Sequence, residues 1–188
     1  MIRRQAVWFE SPGEHNTPAA LAVALAYADE GRRHFVVATT RGNTGVKFAE
    51  ALSGRGVNLV CVTHSFGWRE PRLLEMTDQN RARIESLGGR VHVATVLGNS
   101  IETALGREHR GISPTYIVAE TLRIFSIGVK VCVEIVMEAC DGALVPEGEE
   151  VVPAGGYGWG SDSVCLVRSA ASGRFPDLRV LEIACKPR

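Results

Sequence analysis

The sequence has no excess of charge of either sign, since 21 Lys and Arg residues balance 21 Asp and Glu residues. It contains no basic block or stripe that would attract nucleic acid over long range. It also has no uncharged apolar run of membrane-spanning length, because Lys130, Glu134 and Glu138 interrupt the best candidate. The apolar run near the N-terminus is too short for a signal peptide. We therefore expect a soluble, cytoplasmic protein without nucleic-acid or membrane partners.

Cysteine pairs are missing as well. The five cysteines include no Cys-x-x-Cys pair, and most of them lie inside apolar runs. Their odd number and scattered spacing argue against a disulfide framework or a zinc site. We expect buried, reduced thiols and no bound metal. A nucleophilic Cys132 is the less favoured alternative, because the sequence offers no identifiable base partner for it.

The 188 residues are enough for one α/β domain over residues 1–188, and no internal repeat or linker divides them. Expected strands cover residues 6–9, 35–38, 57–62, 91–96, 164–167 and 179–184, and expected helices cover residues 19–30, 46–52, 77–87, 114–125 and 128–140. Residues 128–140 also alternate as a half-buried strand would, but their length favours a buried helix with one polar stripe. The β-α-β-α-β order of the first half predicts a parallel sheet with right-handed crossovers.

One loop stands out between the apolar run at residues 35–38 and the helix that follows it. Its short polar residues and its glycine are Thr39, Thr40, Gly42, Asn43 and Thr44. The glycine allows a tight bend, the side chains offer donors, and the helix start adds unpaired N–H groups with a favourable dipole. We therefore predict a phosphate site, although the loop is neither a P-loop nor a dinucleotide fingerprint. The alternative is that Asn43 or Thr44 only caps the helix.

Other candidate residues follow from their position next to strands and helix starts. Asn16 and Thr17 precede Pro18 at a helix start, where helix capping explains them as well as ligand binding does. Thr63 and His64 follow the next strand, with Phe66 just beyond. Ligands in open α/β sheets bind at the carboxyl ends of strands, so these residues are expected at the same cleft.

A second candidate binding loop is rich in glycine, and its members are Gly155, Gly156, Gly158 and Gly160, with Tyr157 and Trp159 between them. Four glycines are costly to order unless something approaches the backbone closely. A flexible surface loop is the alternative. On the helix at residues 128–140, Lys130 and Glu134 either form a plain ion pair or point into the cleft.

Four separated blocks together resemble a known family. They are Ser-Pro-Gly-Glu-His-Asn-Thr at 11–17, Val-Val-Ala-Thr-Thr-Arg-Gly-Asn-Thr at 36–44, Val-Lys-Val-Cys-Val-Glu-Ile at 129–135 and Gly-Gly-Tyr-Gly-Trp-Gly-Ser-Asp at 155–162. Over nearly its whole length the chain resembles the stand-alone proteins called pyruvate kinase α/β domain-like, which are similar to the C-terminal domain of pyruvate kinase.

The resemblance implies a three-layer α/β/α fold with a mostly parallel sheet and an antiparallel last strand. It implies that the loop at residues 39–44 holds a phosphate, as the matching loop of pyruvate kinase holds that of a sugar bisphosphate activator. In stand-alone relatives a flavin mononucleotide (FMN) occupies the cleft, so FMN is the expected cofactor. Pyruvate kinase activity is not expected, because the sequence lacks the catalytic barrel.

Three functions remain open. The first is binding of a small phosphorylated ligand, FMN above all. The second is a flavin-dependent oxidoreductase, for which His64, Lys130 and Glu134 are the acid–base candidates. The third is a sugar-phosphate-sensing regulatory module that acts as a homo-oligomer, which rests on analogy of fold. Whether the protein is an enzyme is left open.

Overall fold

A seven-stranded sheet organises the computed structural model, which describes residues 3–95 and 101–188. Its strands are β1 (Val7–Phe9), β2 (His34–Ala38), β3 (Asn58–His64), β4 (Arg90–Ala94), β5 (Glu150–Gly155), β6 (Ser163–Arg168) and β7 (Arg179–Pro187). Its helices are α1 (Thr17–Asp29), α2 (Asn43–Leu52), α3 (Asp78–Ser86), α4 (Ile101–His109), α5 (Pro114–Arg123) and α6 (Ile127–Asp141). Short 3-10 segments cover Glu14–Asn16 and Ser172–Asp177.

The strand order is β1-β7-β6-β5-β2-β3-β4, and the sheet is mostly parallel, as expected. The last strand, β7, is antiparallel to its neighbour β6, but it is parallel to β1. The strand that runs against all the others is therefore β6, which opposes both β5 and β7. A short glycine-rich loop joins β5 to β6, and such a loop can connect only antiparallel strands, whereas a parallel pair needs a crossover.

Both faces of the sheet are covered, which confirms the three-layer α/β/α arrangement. On one face Phe35 and Val37 pack with residues of α1, α2 and α3. On the other face Val36 packs with residues of α6. The side chains of Phe35, Val36 and Val37, the three central residues of β2, are fully buried. This two-sided burial explains why β2 is a continuous apolar run and not an alternating one.

Most expected elements are present with small shifts at their ends. The ambiguous segment at residues 128–140 is helical, and Ser126 begins it by accepting a hydrogen bond from Val129 N–H. The strand expected at 91–96 is β4, and Val96 lies outside the described residues. Helix α4 is a helix that we did not predict. None of the described helices is long and apolar enough to cross a membrane.

Candidate functional site

A cleft of about 590 Å³ opens at the carboxyl ends of β2, β3 and β5. These three strands are parallel neighbours with β2 in the middle, so their carboxyl ends meet at one edge of the sheet. The cleft walls come from the β2–α2 loop, the segment after β3, the inward face of α6 and the glycine-rich β5–β6 loop. The predicted loops therefore converge on one cavity of the size typical for small-molecule sites.

The bend in the β2–α2 loop depends on Gly42, as predicted. Its φ of 100° lies in the left-handed region, and a Cβ there would lie 2.9 Å from Met76 Sδ and closer still to Asn80. Gly42 occupies the N-cap position of α2, and no side chain of the described residues caps that position. The alternative in which Asn43 or Thr44 caps the helix is wrong, because both residues lie inside it.

Backbone donors remain open at the start of α2. The Thr39 hydroxyl accepts a hydrogen bond from Gly45 N–H at 3.1 Å, so this donor is satisfied within the loop. Within the described part of the chain, the N–H groups of Asn43 and Thr44 have no hydrogen-bond acceptor. They lie at the positive end of the helix dipole, where an anion is favoured.

The polar side chains of this loop fall into two groups. Thr63 donates to the Thr40 carbonyl at 2.8 Å, and Asn43 Oδ1 accepts from Asn80 Nδ2 at 2.8 Å. These contacts hold the loop in shape. The hydroxyls of Thr40 and Thr44 also line the cleft, and neither bonds to another described residue. They are therefore available to a ligand.

The outer wall of the cleft is aromatic and basic. Trp159 lies under two guanidinium groups, with Arg41 Cζ 5.0 Å and Arg69 Cζ 5.5 Å from the ring centroid. Such stacking holds both cations near the mouth, and Arg69 also lies 3.6 Å from Glu75 Oε1. Tyr157 lies on the same loop and also lines the cleft.

His64 has a carboxylate partner that sets its orientation. Its Nδ1 lies 2.8 Å from Glu75 Oε2, and the Glu75 side chain is 7% exposed. An ionised carboxylate can only accept a hydrogen bond, so in the neutral imidazole Nδ1 carries the proton and Nε2 is the acceptor. The ring also lies 5.1 Å from that of Trp68, which lines the cleft as well.

The inner wall is the polar stripe of α6. Lys130 Nζ donates to Glu134 Oε2 at 2.5 Å, and both residues are buried and line the cleft. Both interpretations of this stripe therefore apply, because Lys130 and Glu134 form an ion pair and also line the cleft. One turn further, burial and the nearby Glu134 carboxylate raise the pKa of Glu138 to about 9. Glu138 thus keeps its proton at neutral pH.

Asp162 orders the glycine-rich loop and ties it to the N-terminal loop. Its Oδ2 accepts from Gly13 N–H at 3.0 Å and from Tyr157 N–H at 3.4 Å, and its Oδ1 accepts from Ser163 Oγ at 2.9 Å. Ser161 N–H donates to Thr17 Oγ1 at 3.0 Å. The loop is thus fixed by specific hydrogen bonds from two distant segments of the chain.

The structure brings most of the predicted site residues together. Those that line the cleft are Thr39, Thr40, Asn43, Thr44, Thr63, His64, Lys130, Glu134, Gly156, Gly158 and Gly160. The other five, Asn16, Thr17, Gly42, Phe66 and Gly155, are placed outside the lining. Asn16 donates to the Ser11 carbonyl at 2.8 Å and Thr17 accepts from Ser161, so both brace the loops behind the cleft. The Phe66 side chain is 64% exposed.

No family model matches the chain. Two crystal structures of pyruvate kinase from Cryptosporidium parvum are similar to 85% of this chain, at 14% and 13% sequence identity with TM-scores of 0.41 and 0.39. The match covers 24% and 23% of those chains, so this chain spans about a quarter of their length. O-ureido-L-serine synthase is similar over 60% of this chain and 39% of its own, with 19% identity and a TM-score of 0.32.

The likeness to pyruvate kinase that the four sequence blocks led us to expect is therefore found among solved structures. At identities below 20% and TM-scores below 0.5, it carries no argument about ligand or activity.

Several cleft residues were not predicted as site residues. They are Arg41, Trp68, Arg69 and Glu138, together with Glu75 and Asp162 behind the lining. Arg41 lies inside the predicted phosphate loop, and Glu138 continues the Lys130–Glu134 spacing by one turn, so both had a visible signal. The others belong to loops whose long-range contacts leave no periodic pattern.

The cysteines are buried and free, as expected. Cys132 donates weakly to the carbonyls of Pro153 and Ser163 at 3.5 and 3.6 Å, and burial raises its pKa well above the usual value. A thiol of this kind is not a thiolate nucleophile, so that alternative is wrong. Among the described residues, no group of three His, Cys, Asp or Glu side chains could hold a metal ion.

Proposed function

We propose that the cleft binds a small phosphorylated ligand, with its phosphate at the start of α2. The observation that carries this proposal is the pair of open N–H groups of Asn43 and Thr44 beside the free hydroxyls of Thr40 and Thr44. A phosphate offers acceptors for these donors and the charge that the helix dipole favours. Arg41 in the same loop adds a cation.

FMN is the ligand that we propose. Its phosphate suits the α2 start, and its flat ring suits the aromatic side chains of Trp68, Tyr157 and Trp159. Three basic side chains, Arg41, Arg69 and Lys130, line the cleft, and one of its acidic side chains, Glu138, is neutral because burial raises its pKa to about 9. The donor set and the charge balance therefore fit a phosphorylated flavin. When bound, the flavin would supply redox chemistry that side chains lack.

A flavin-dependent oxidoreductase is the second candidate, and the His64–Glu75 pair favours it. The carboxylate fixes the tautomer of His64, so Nε2 can hold or release a proton at the cleft. Lys130 and Glu134 remain acid–base candidates on the inner wall. The sugar-phosphate sensor, the homo-oligomer and the cytoplasmic location stay predictions without a specific supporting contact.

Flavin titration tests the proposal. FMN and riboflavin differ only in the phosphate, so their affinities, followed by flavin fluorescence, isolate the phosphate contribution. We expect the double variant Thr40→Val, Thr44→Val to bind FMN about tenfold more weakly, while riboflavin binding changes little. Thr121→Val is the matched control, because Thr121 is exposed on α5 and its hydroxyl bonds, among the described residues, only to the Ile117 carbonyl. Equal affinity for FMN and riboflavin would contradict a phosphate site.

A further inference from the structure

The inner end of the cleft holds a carboxyl group with an unused oxygen. Glu138 is 8% exposed and lines the cleft. Its Oε1 is buried and has no hydrogen-bond partner among the described residues. Buried polar atoms are nearly always paired in native proteins, so an orphaned one beside a cavity points to a ligand group.

Glu138 lies well inside the cleft, away from the edge of the sheet where the phosphate loop lies. Helix α6 begins beside Gly155 at the carboxyl end of β5, where Gly128 O would lie 2.9 Å from a Cβ on Gly155. It then runs back along the sheet to Asp141, and just beyond the helix Leu144 O accepts from Asn58 Nδ2 at the amino end of β3. The eight steps from Lys130 to Glu138 span about 12 Å along the helix axis.

The surroundings of Glu138 decide what this inner end can accept. Glu134 and Asp141 are acidic neighbours on α6, and the one nearby cation, Lys130, is already paired with Glu134 among the described residues. On β4, His92 bonds to the Glu138 backbone carbonyl, and burial lowers the pKa of its imidazole, which favours the neutral ring. A second anionic group would therefore meet no free positive charge from the described residues here. A neutral acceptor would meet the acid O–H of a protonated carboxyl.

We propose that Glu138 forms a second subsite, donating its acid O–H to an uncharged acceptor on the ligand, a carbonyl oxygen or a ring nitrogen. This subsite rests on the proposed function, since it recognises the non-phosphate part of the same ligand. It selects phosphate monoesters that carry a neutral, carbonyl-bearing heterocycle over ligands with a second anionic group at the far end.

Two variants and three probes test the subsite. Glu138→Leu keeps a side chain of similar size but removes the hydrogen-bond donor. Glu138→Gln keeps a donor that cannot ionise. At pH 7 we expect Glu138→Leu to weaken FMN and riboflavin alike by about tenfold and to leave inorganic phosphate binding unchanged. Glu138→Gln should retain most of the flavin affinity. Thermal unfolding of each variant identifies any loss of fold.

A pH series adds a readout that a purely structural role would not change. From pH 7.5 to 9.5 wild-type affinity for FMN should fall as Glu138 ionises, and Glu138→Gln should lose this dependence. Titration of the flavin itself is common to both proteins and therefore cancels in the comparison. Normal FMN binding by Glu138→Leu, or identical pH profiles, would overturn the subsite alone. Absence of FMN binding by the wild-type protein would overturn the proposed function, and the subsite with it.

Discussion

Substitution of Glu138 by Gln should change how the free energy of unfolding depends on pH. In the folded protein the pKa of Glu138 is about 9 instead of the usual 4.5, because burial disfavours its charged form and the Glu134 carboxylate repels it. The side chain is therefore protonated in the folded chain and ionised in the unfolded chain at every pH between these two values. Folding must take up one proton in that window, whereas folding of Glu138→Gln takes up none at this position.

The sign and size follow from proton linkage. The stabilising contribution of the protonated carboxyl is complete below pH 4.5 and is lost as the pH rises towards about 9. Each pH unit inside the window changes the free energy of unfolding by about 1.36 kcal/mol. Between pH 5.5 and 7.5, the stability of Glu138→Gln relative to wild type should therefore rise by about 3 kcal/mol. This change does not depend on how much the two proteins differ in stability at pH 5.5.

Urea unfolding at several pH values measures this difference directly. All other titrating groups are common to both proteins, so their effects largely cancel in the difference. Glu134→Gln is a useful companion, because it removes one acidic neighbour and should lower the pKa of Glu138. A stability difference that stays constant within about 0.5 kcal/mol over this range would refute the reasoning, since it would mean that Glu138 is ionised in the fold.

Three further outcomes are expected. Gly42→Ala should lower stability in urea by about 1–3 kcal/mol, and more than Gly54→Ala, because only position 42 adds a clash to the positive φ. Asp162→Asn should lower the free energy of unfolding by about 2 kcal/mol and speed amide hydrogen exchange at Gly13 and Tyr157. The control Asp177→Asn, whose side chain is 71% exposed, should change little, and equal exchange rates in the two variants would contradict the bracing role. A thiol reagent should label none of the five buried cysteines before unfolding, and rapid labelling of any one would contradict the packing.

The local parts of the fold could be predicted from sequence because local patterns encode them. The uninterrupted run Phe35, Val36 and Val37 indicates a strand buried on both faces, and the structure has it so. The position of Gly42 between strand and helix indicates a bend, and its φ of 100° confirms it. Strand β6 runs opposite to the rest of the sheet, and its direction follows from the hairpin loop before it. The spacing of apolar residues alone did not reveal this direction.

The finer parts of the candidate site depend on contacts between distant residues. Helical spacing placed Lys130 and Glu134 on one face, but not the cleft that this face meets. The bond between Asp162 and Gly13 joins residues 149 positions apart. Composition also cannot tell which hydroxyls of a Thr-rich loop form hydrogen bonds within the loop. The Thr39 hydroxyl accepts from Gly45 N–H, whereas the Thr40 hydroxyl bonds to no other described residue.

The most direct test of the phosphate site is the amide NMR signal of Asn43 and Thr44. We predict that FMN and inorganic phosphate each shift these two N–H resonances downfield, because both supply the acceptor that the start of α2 lacks, and that riboflavin does not. If FMN binds while both amides keep their shifts and changes appear elsewhere, the phosphate does not lie at the start of α2, and the account of this cleft is wrong.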